Sequence, residues 1–271
     1  MSSAPPLVRR GAEPESEGPG PSASRRDLRD EILLVLALSL GASALYALVS
    51  FLATVTSPGP LASHQATLNG TLAPGRPWID LARQLLGIGT GVAPALLAIY
   101  LLRRTGEGAR SIGLDRSRLR FDLGLGGLLA AAIGGSGLLL YLGARAGGAN
   151  LTVVPTTLPP VWWRIPVLLL SAAQNAFLEE VVVVGFLLRR LEQLGWARGP
   201  ALVASAVLRG SYHLYQGIGG LLGNMVMGVI FVLVYRRWGR VAPLFLAHTL
   251  IDSVAFVGFV LLAGHVSWLP T

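Results

Sequence analysis

Seven apolar stretches, at about 31–55, 81–102, 122–142, 165–188, 200–216, 217–235 and 241–262, constrain this chain more than any other feature. A run of ~20 apolar residues matches the ~30 Å hydrocarbon core of a bilayer. Inside that core the backbone finds no water to bond, so each run must satisfy its own N–H and C=O groups as a helix. With 52% hydrophobic and only 13% charged residues, the chain is too apolar for an ordinary soluble domain. The expected fold class is therefore all-α: a polytopic membrane helix bundle with about seven transmembrane helices, forming one membrane domain at 27–271. Residues 1–26, rich in Pro, Gly, Ser, Glu and Arg, read as a disordered cytoplasmic tail. No apolar region follows a short basic start, so the tail is not read as a cleavable signal peptide.

Charge gives the orientation. All 22 basic residues are arginine, and 17 of them fall in residues 1–30 before the first apolar stretch, in 103–120, in 189–198 and in 236–240. That bias sets the N-terminus on the cytoplasmic side and predicts a multi-pass protein of the cell membrane. The net charge of +8 follows the same loops, so no nucleic-acid partner is expected and the lipid bilayer is the surrounding partner. Trp78, Trp162, Trp163, Trp196, Trp238 and Trp268 fall at expected span ends and read as an aromatic belt. There is no cysteine, which excludes disulfides, thiolate catalysis and Cys-ligated zinc. Abundant Ala, Gly and Arg suggest a bacterial source.

Away from the span ends, six ionisable residues lie within the expected spans: Glu179, Glu180, Arg209, His213, His248 and Asp252. A charge at the bilayer centre costs at least ~2.5 kcal/mol, so such residues face the bundle interior and pair with one another. Arg209 and His213 are four apart and share a helix face, as do His248 and Asp252. Glu179 and Glu180 point about 100° apart around their helix and so serve different partners. A carboxylate beside histidines can act as a general base toward water held in a protein cavity. Two histidines and a carboxylate can also hold zinc with an open fourth position. Asn224 reads as helix glue at the edge of the site. Gly217, Gly219, Gly220 and Gly223 read as close helix packing, and Tyr212 and Tyr215 as packing residues.

The order Glu179-Glu180, then His213, then His248-x-x-x-Asp252 resembles the CPBP intramembrane proteases. These include the CAAX prenyl proteases and the bacterial bacteriocin-processing and self-immunity (Abi-like) proteins. The resemblance covers 165–262, the expected catalytic core. It implies Glu179 as the base that activates water, His213 as the holder of that water or of a metal, and Glu180 as a supporting carboxylate. It implies His248 and Asp252 as stabilisers of the oxyanion or further metal ligands. The cofactor is then zinc, held by Glu179, His213 and His248, or none. Two positions depart from the family pattern Glu-Glu-x-x-x-Arg and Phe-x-x-x-His. The arginine position is Val184 and the phenylalanine position is Arg209, which suggests that Arg209 supplies the missing cation from another helix.

The expected function is an intramembrane endopeptidase, of metallo or glutamate type, hydrolysing membrane-associated peptides or proteins with a glutamate-activated water. A catalytically inactive CPBP-like scaffold or immunity protein is one alternative. A small proton-coupled transporter, using Glu, His and Asp as a relay, is another. The sequence does not define the oligomeric state.

Overall fold

The computed structural model describes residues 24–266 and 269. The tail expectation for 1–23 and the belt expectation for Trp268 lie outside the described residues. Residues 24–26 depart from a disordered tail. Ser24 accepts from Asp27 N at 3.2 Å and Asp27 Oδ2 accepts from Ser24 N at 3.0 Å, so a capping box starts α1 (Arg25–Ala37).

The architecture is all-α, as expected, with a short strand pair added. α1 leads through a 47° bend into α2 (Leu40–Val55). Strand β1 (Gln65–Asn69) precedes α3 (Pro77–Gly91) and α4 (Ala93–Arg104), which run on as one 28-residue span. α5 (Leu119–Ala146) is followed by strand β2 (Thr152–Thr156), which pairs in parallel with β1 from Gln65↔Thr152 to Asn69↔Thr156. α6 (Arg164–Glu179) continues as a π-helical segment, Glu180–Phe186, into α7 (Leu187–Gln193). α8 (Arg198–Ser211), α9 (Ile218–Trp238) and α10 (Ala242–Leu262) complete the chain.

Among the described residues, five helices are long and apolar enough to cross a membrane, or six if the bent α1–α2 pair is one span. The other expected span, 200–216, is represented by α8, whose 14 residues reach only about 21 Å, short of a bilayer core. The strands both follow helix ends on the side away from the arginine-rich loops. There Asn150 also bridges to Gly217, which places the turn after α8 beside β2. Gly217 has φ +109°, and a Cβ on it would meet Asn150 Oδ1 at 2.7 Å, so this glycine serves a tight turn packed on the Asn150 loop rather than a helix–helix contact.

The core is centred on the π-helical segment. Val181, Val182, Val183, Val184 and Phe186 are fully buried against α4, α8 and α9. Trp163 departs from the aromatic belt: it is 2% exposed and packs with Val167, Leu168 and Phe256 in a second cluster.

Candidate active site

Glu179 closes α6 and Glu180 opens the π-helical segment, a form of helix frequent at functional sites. The two carboxylates share one cation. Arg209, on α8, places Nη1 3.3 Å from Glu179 Oε2 and Nη2 2.6 Å from Glu180 Oε1. Its side chain is 0% exposed, and its guanidinium also lies 5.3 Å over the Phe231 ring. Ser205, one turn earlier, donates to Val183 O at 3.1 Å and holds α8 against the π-helical segment. On the other side, α9 presents Gly228, where a Cβ would sit 3.2 Å from Arg209 Cδ. The glycine leaves room for the arginine stem. A buried charge requires a partner and hydrogen bonds, and this arrangement supplies both at Nη1 and Nη2, while Arg209 Nε and Glu180 Oε2 have no partner among the described residues.

The remaining polar groups converge from three elements. Tyr212 donates to Glu179 Oε2 at 2.7 Å. Among the described residues Glu179 Oε1 has no hydrogen-bond partner, so one oxygen of this carboxylate is anchored and the other is free. His213 lies just beyond the end of α8, yet keeps the expected i, i+4 relation: its Nδ1 is 3.0 Å from Arg209 O. A carbonyl only accepts, so Nδ1 carries the proton and Nε2 is the free ring nitrogen. His248 Nδ1 is 2.8 Å from Glu180 Oε1, and His248 Nε2 is 3.6 Å from Asp252 Oδ2. Asn224 donates to Gly220 O at 3.0 Å, a bond within α9.

A cavity of about 430 Å³ lies among these groups, lined by Glu179, His213, Asn224, His248 and Asp252. At ~30 Å³ per water it has room for solvent and for a stretch of substrate. Glu180 and Arg209 do not line it; they stand behind Glu179 and His248. The structure thus divides the expected residues into a cavity-facing set and a buried supporting pair. Sequence reasoning missed Tyr212, read as packing, and Asn175, one helical turn before Glu179 on the cavity wall. The available signal for Tyr212 was its phenol, which needs a partner once buried.

The structure also bears on the expected zinc ligands. The ligand atoms lying within 4.8 Å of one another belong to Glu179, Glu180 and His248, and His213 is not in that group. Arg209 is bonded to one oxygen of each carboxylate and His248 Nδ1 is engaged with Glu180, while Glu179 Oε1 and the buried Glu180 Oε2 have no hydrogen-bond partner among the described residues. A divalent cation bound there would lie against a guanidinium. The two unpartnered carboxylate oxygens would suit a metal, and the guanidinium between them opposes one.

Fold and site together define a polytopic helical membrane protein with a buried carboxylate–histidine–arginine cluster facing a cavity. Residues 160–254 match the Rce1-like family, described as Type II CAAX prenyl endopeptidase Rce1-like, which is consistent with the CPBP resemblance. The match covers about a third of the chain and contains every residue from Glu179 to Asp252 discussed above. No curated protein and no solved structure matches this chain.

Proposed function

We propose that this protein is an intramembrane endopeptidase that cuts membrane-associated peptides with a water activated by Glu179. The observation carrying this reading is the asymmetry of that carboxylate: Oε2 is tied to Tyr212 and Arg209, and Oε1 is free on a residue of the cavity wall. A general base needs an oriented lone pair within reach of a water, and this geometry supplies one.

In the proposed reaction, a water bonds to Glu179 Oε1 and His213 Nε2. Glu179 takes its proton as the water oxygen adds to the scissile carbonyl carbon, and the carbonyl electrons move onto oxygen. His248, held between Glu180 and Asp252, carries positive charge toward that oxyanion, and the second amide hydrogen of Asn224 adds a donor. Collapse re-forms the carbonyl and breaks the C–N bond, and Glu179 returns the proton to the leaving nitrogen. We further infer the orientation from the arginine bias, with the arginine-rich loops cytoplasmic and the β1–β2 ribbon outside, in the cell membrane.

The test is Glu179→Gln in detergent-purified protein, assayed on a pool of membrane-spanning peptides with fluorescent termini. Cleavage is expected to fall by ~10²-fold or more while the protein stays folded. Full activity in this variant sinks the assignment, and absence of cleavage by the parent favours the scaffold or transporter alternatives.

A further inference from the structure

A second cavity, of about 240 Å³, opens on the arginine-rich side between α7, α8 and α9. Arg189, Glu192, Trp196, Arg198, Tyr235 and Arg236 contribute to its wall. Its charges are not balanced. Arg189 is paired twice, with Glu107 and with Glu192 at 2.7 Å. That uses the only carboxylate on the wall. Arg198 and Arg236 have no carboxylate partner among the described residues. They are nonetheless held together, because Arg236 Nη2 donates to Arg198 O at 2.6 Å. Two guanidinium groups on one concave wall repel each other unless an anion joins them, and the planar donor fork of arginine suits phosphate oxygens.

The rest of the wall points to where that anion comes from. Leu188 and Ala201 are buried apolar residues, and Tyr235 and the 48%-exposed Trp196 supply amphipathic rings. The cavity lies at the ends of α7 and α9, the level at which a span meets the headgroups. A soluble phosphate would use only the arginines. A phospholipid would use the arginines for its phosphate and the apolar and aromatic wall for its glycerol and first methylenes. We propose that this cavity binds the phosphate of an anionic glycerophospholipid, with Arg198 and Arg236 as its ligands.

The experiment uses purified full-length protein with phosphatidylglycerol, phosphatidylcholine and inorganic phosphate as probes. Retained lipid is counted by native mass spectrometry and stabilisation is read by thermal melting. Phosphatidylglycerol should be retained at least ~10-fold better than phosphatidylcholine, which offers the same phosphate but adds a choline cation beside two guanidinium groups that lack a carboxylate partner among the described residues. The double variant Arg198→Gln with Arg236→Gln should lose that preference. Arg110→Gln with Arg116→Gln removes the same charge from another loop on the same side and should keep it. Equal loss in both double variants means a diffuse surface field and overturns the site. Stabilisation by inorganic phosphate equal to that by the lipid overturns the lipid assignment. If the Arg198/Arg236 variant does not fold, the parent's own choice between the two lipids decides, and indifference refutes the proposal.

Discussion

Replacing Arg209 by phenylalanine puts the family residue at that position and removes the cation that bridges Glu179 and Glu180. Both contacts are buried: the Arg209 and Glu180 side chains are 0% exposed and Glu179 is 10% exposed. Removing one member of such a pair strands the other, at a typical cost of ~3–5 kcal/mol. At 1.4 kcal/mol per tenfold, that lowers the folded-to-unfolded ratio by ~10²- to 4 × 10³-fold. The assay is thermal or denaturant melting in detergent, run as a cycle with Glu180→Gln. If the penalty arises from the stranded carboxylate, Arg209→Phe should cost at least ~2 kcal/mol less in the Glu180→Gln background. Adding Val184→Arg to Arg209→Phe returns a cation from the family position. Val184 is fully buried, and overpacking costs ~1–3 kcal/mol, so that rescue should be partial. A single variant that melts like its parent refutes the reasoning. So does a cycle in which the two changes add within ~0.5 kcal/mol, the signature of independent sites.

Three further outcomes follow from the same geometry. Tyr212→Phe deletes a hydrogen bond to a carboxylate, worth ~1.5–3 kcal/mol, and should lower kcat ~10- to 100-fold with little change in KM; an unchanged kcat removes Tyr212 from the mechanism. Zinc analysis of active protein should find far less than one ion per chain and chelators should leave cleavage intact, whereas stoichiometric zinc with chelator-sensitive cleavage restores the metal reading. Asp115, in the loop before α5, accepts hydrogen bonds from Ser117 Oγ and N and from Arg240, which hold its carboxyl down at about 2. A lowered carboxylate stabilises the fold above its unfolded value near 3.8 and loses that contribution as pH falls toward 2. Asp115→Asn should therefore melt below the parent at pH 7 and converge with it between about pH 4 and pH 2; a pH-independent gap rules this out.

What the sequence determined alone is what is local along the chain. Hydropathy over ~20 residues depends only on neighbours, so the helices and their approximate limits were legible, as was the arginine bias between loops. The i, i+4 relation His248–Asp252 was legible for the same reason, because helix periodicity sets it, and Arg209–His213 keeps its spacing through the bond from His213 Nδ1 to Arg209 O just past the end of α8. Tertiary structure decided whatever joins distant segments. Arg209 meets Glu179 and Glu180 from 30 and 29 residues away, and Tyr212 reaches Glu179 across 33. β1 finds β2 in a ribbon that no local pattern announces, since each strand is only five residues long. Packing also chose the cavity-facing carboxylate: Glu179 and Glu180 are equivalent in composition, and only the placement of α8 and α10 turns one toward the cavity and ties the other to Arg209 and His248. Trp163 shows the same limit from the apolar side, since its place at a span end suggested the interface and a cluster with Phe256, 93 residues away, buried it. Burial and ion pairing at these points depend on three-dimensional neighbours, and a periodicity of 3.6 residues carries no information about them.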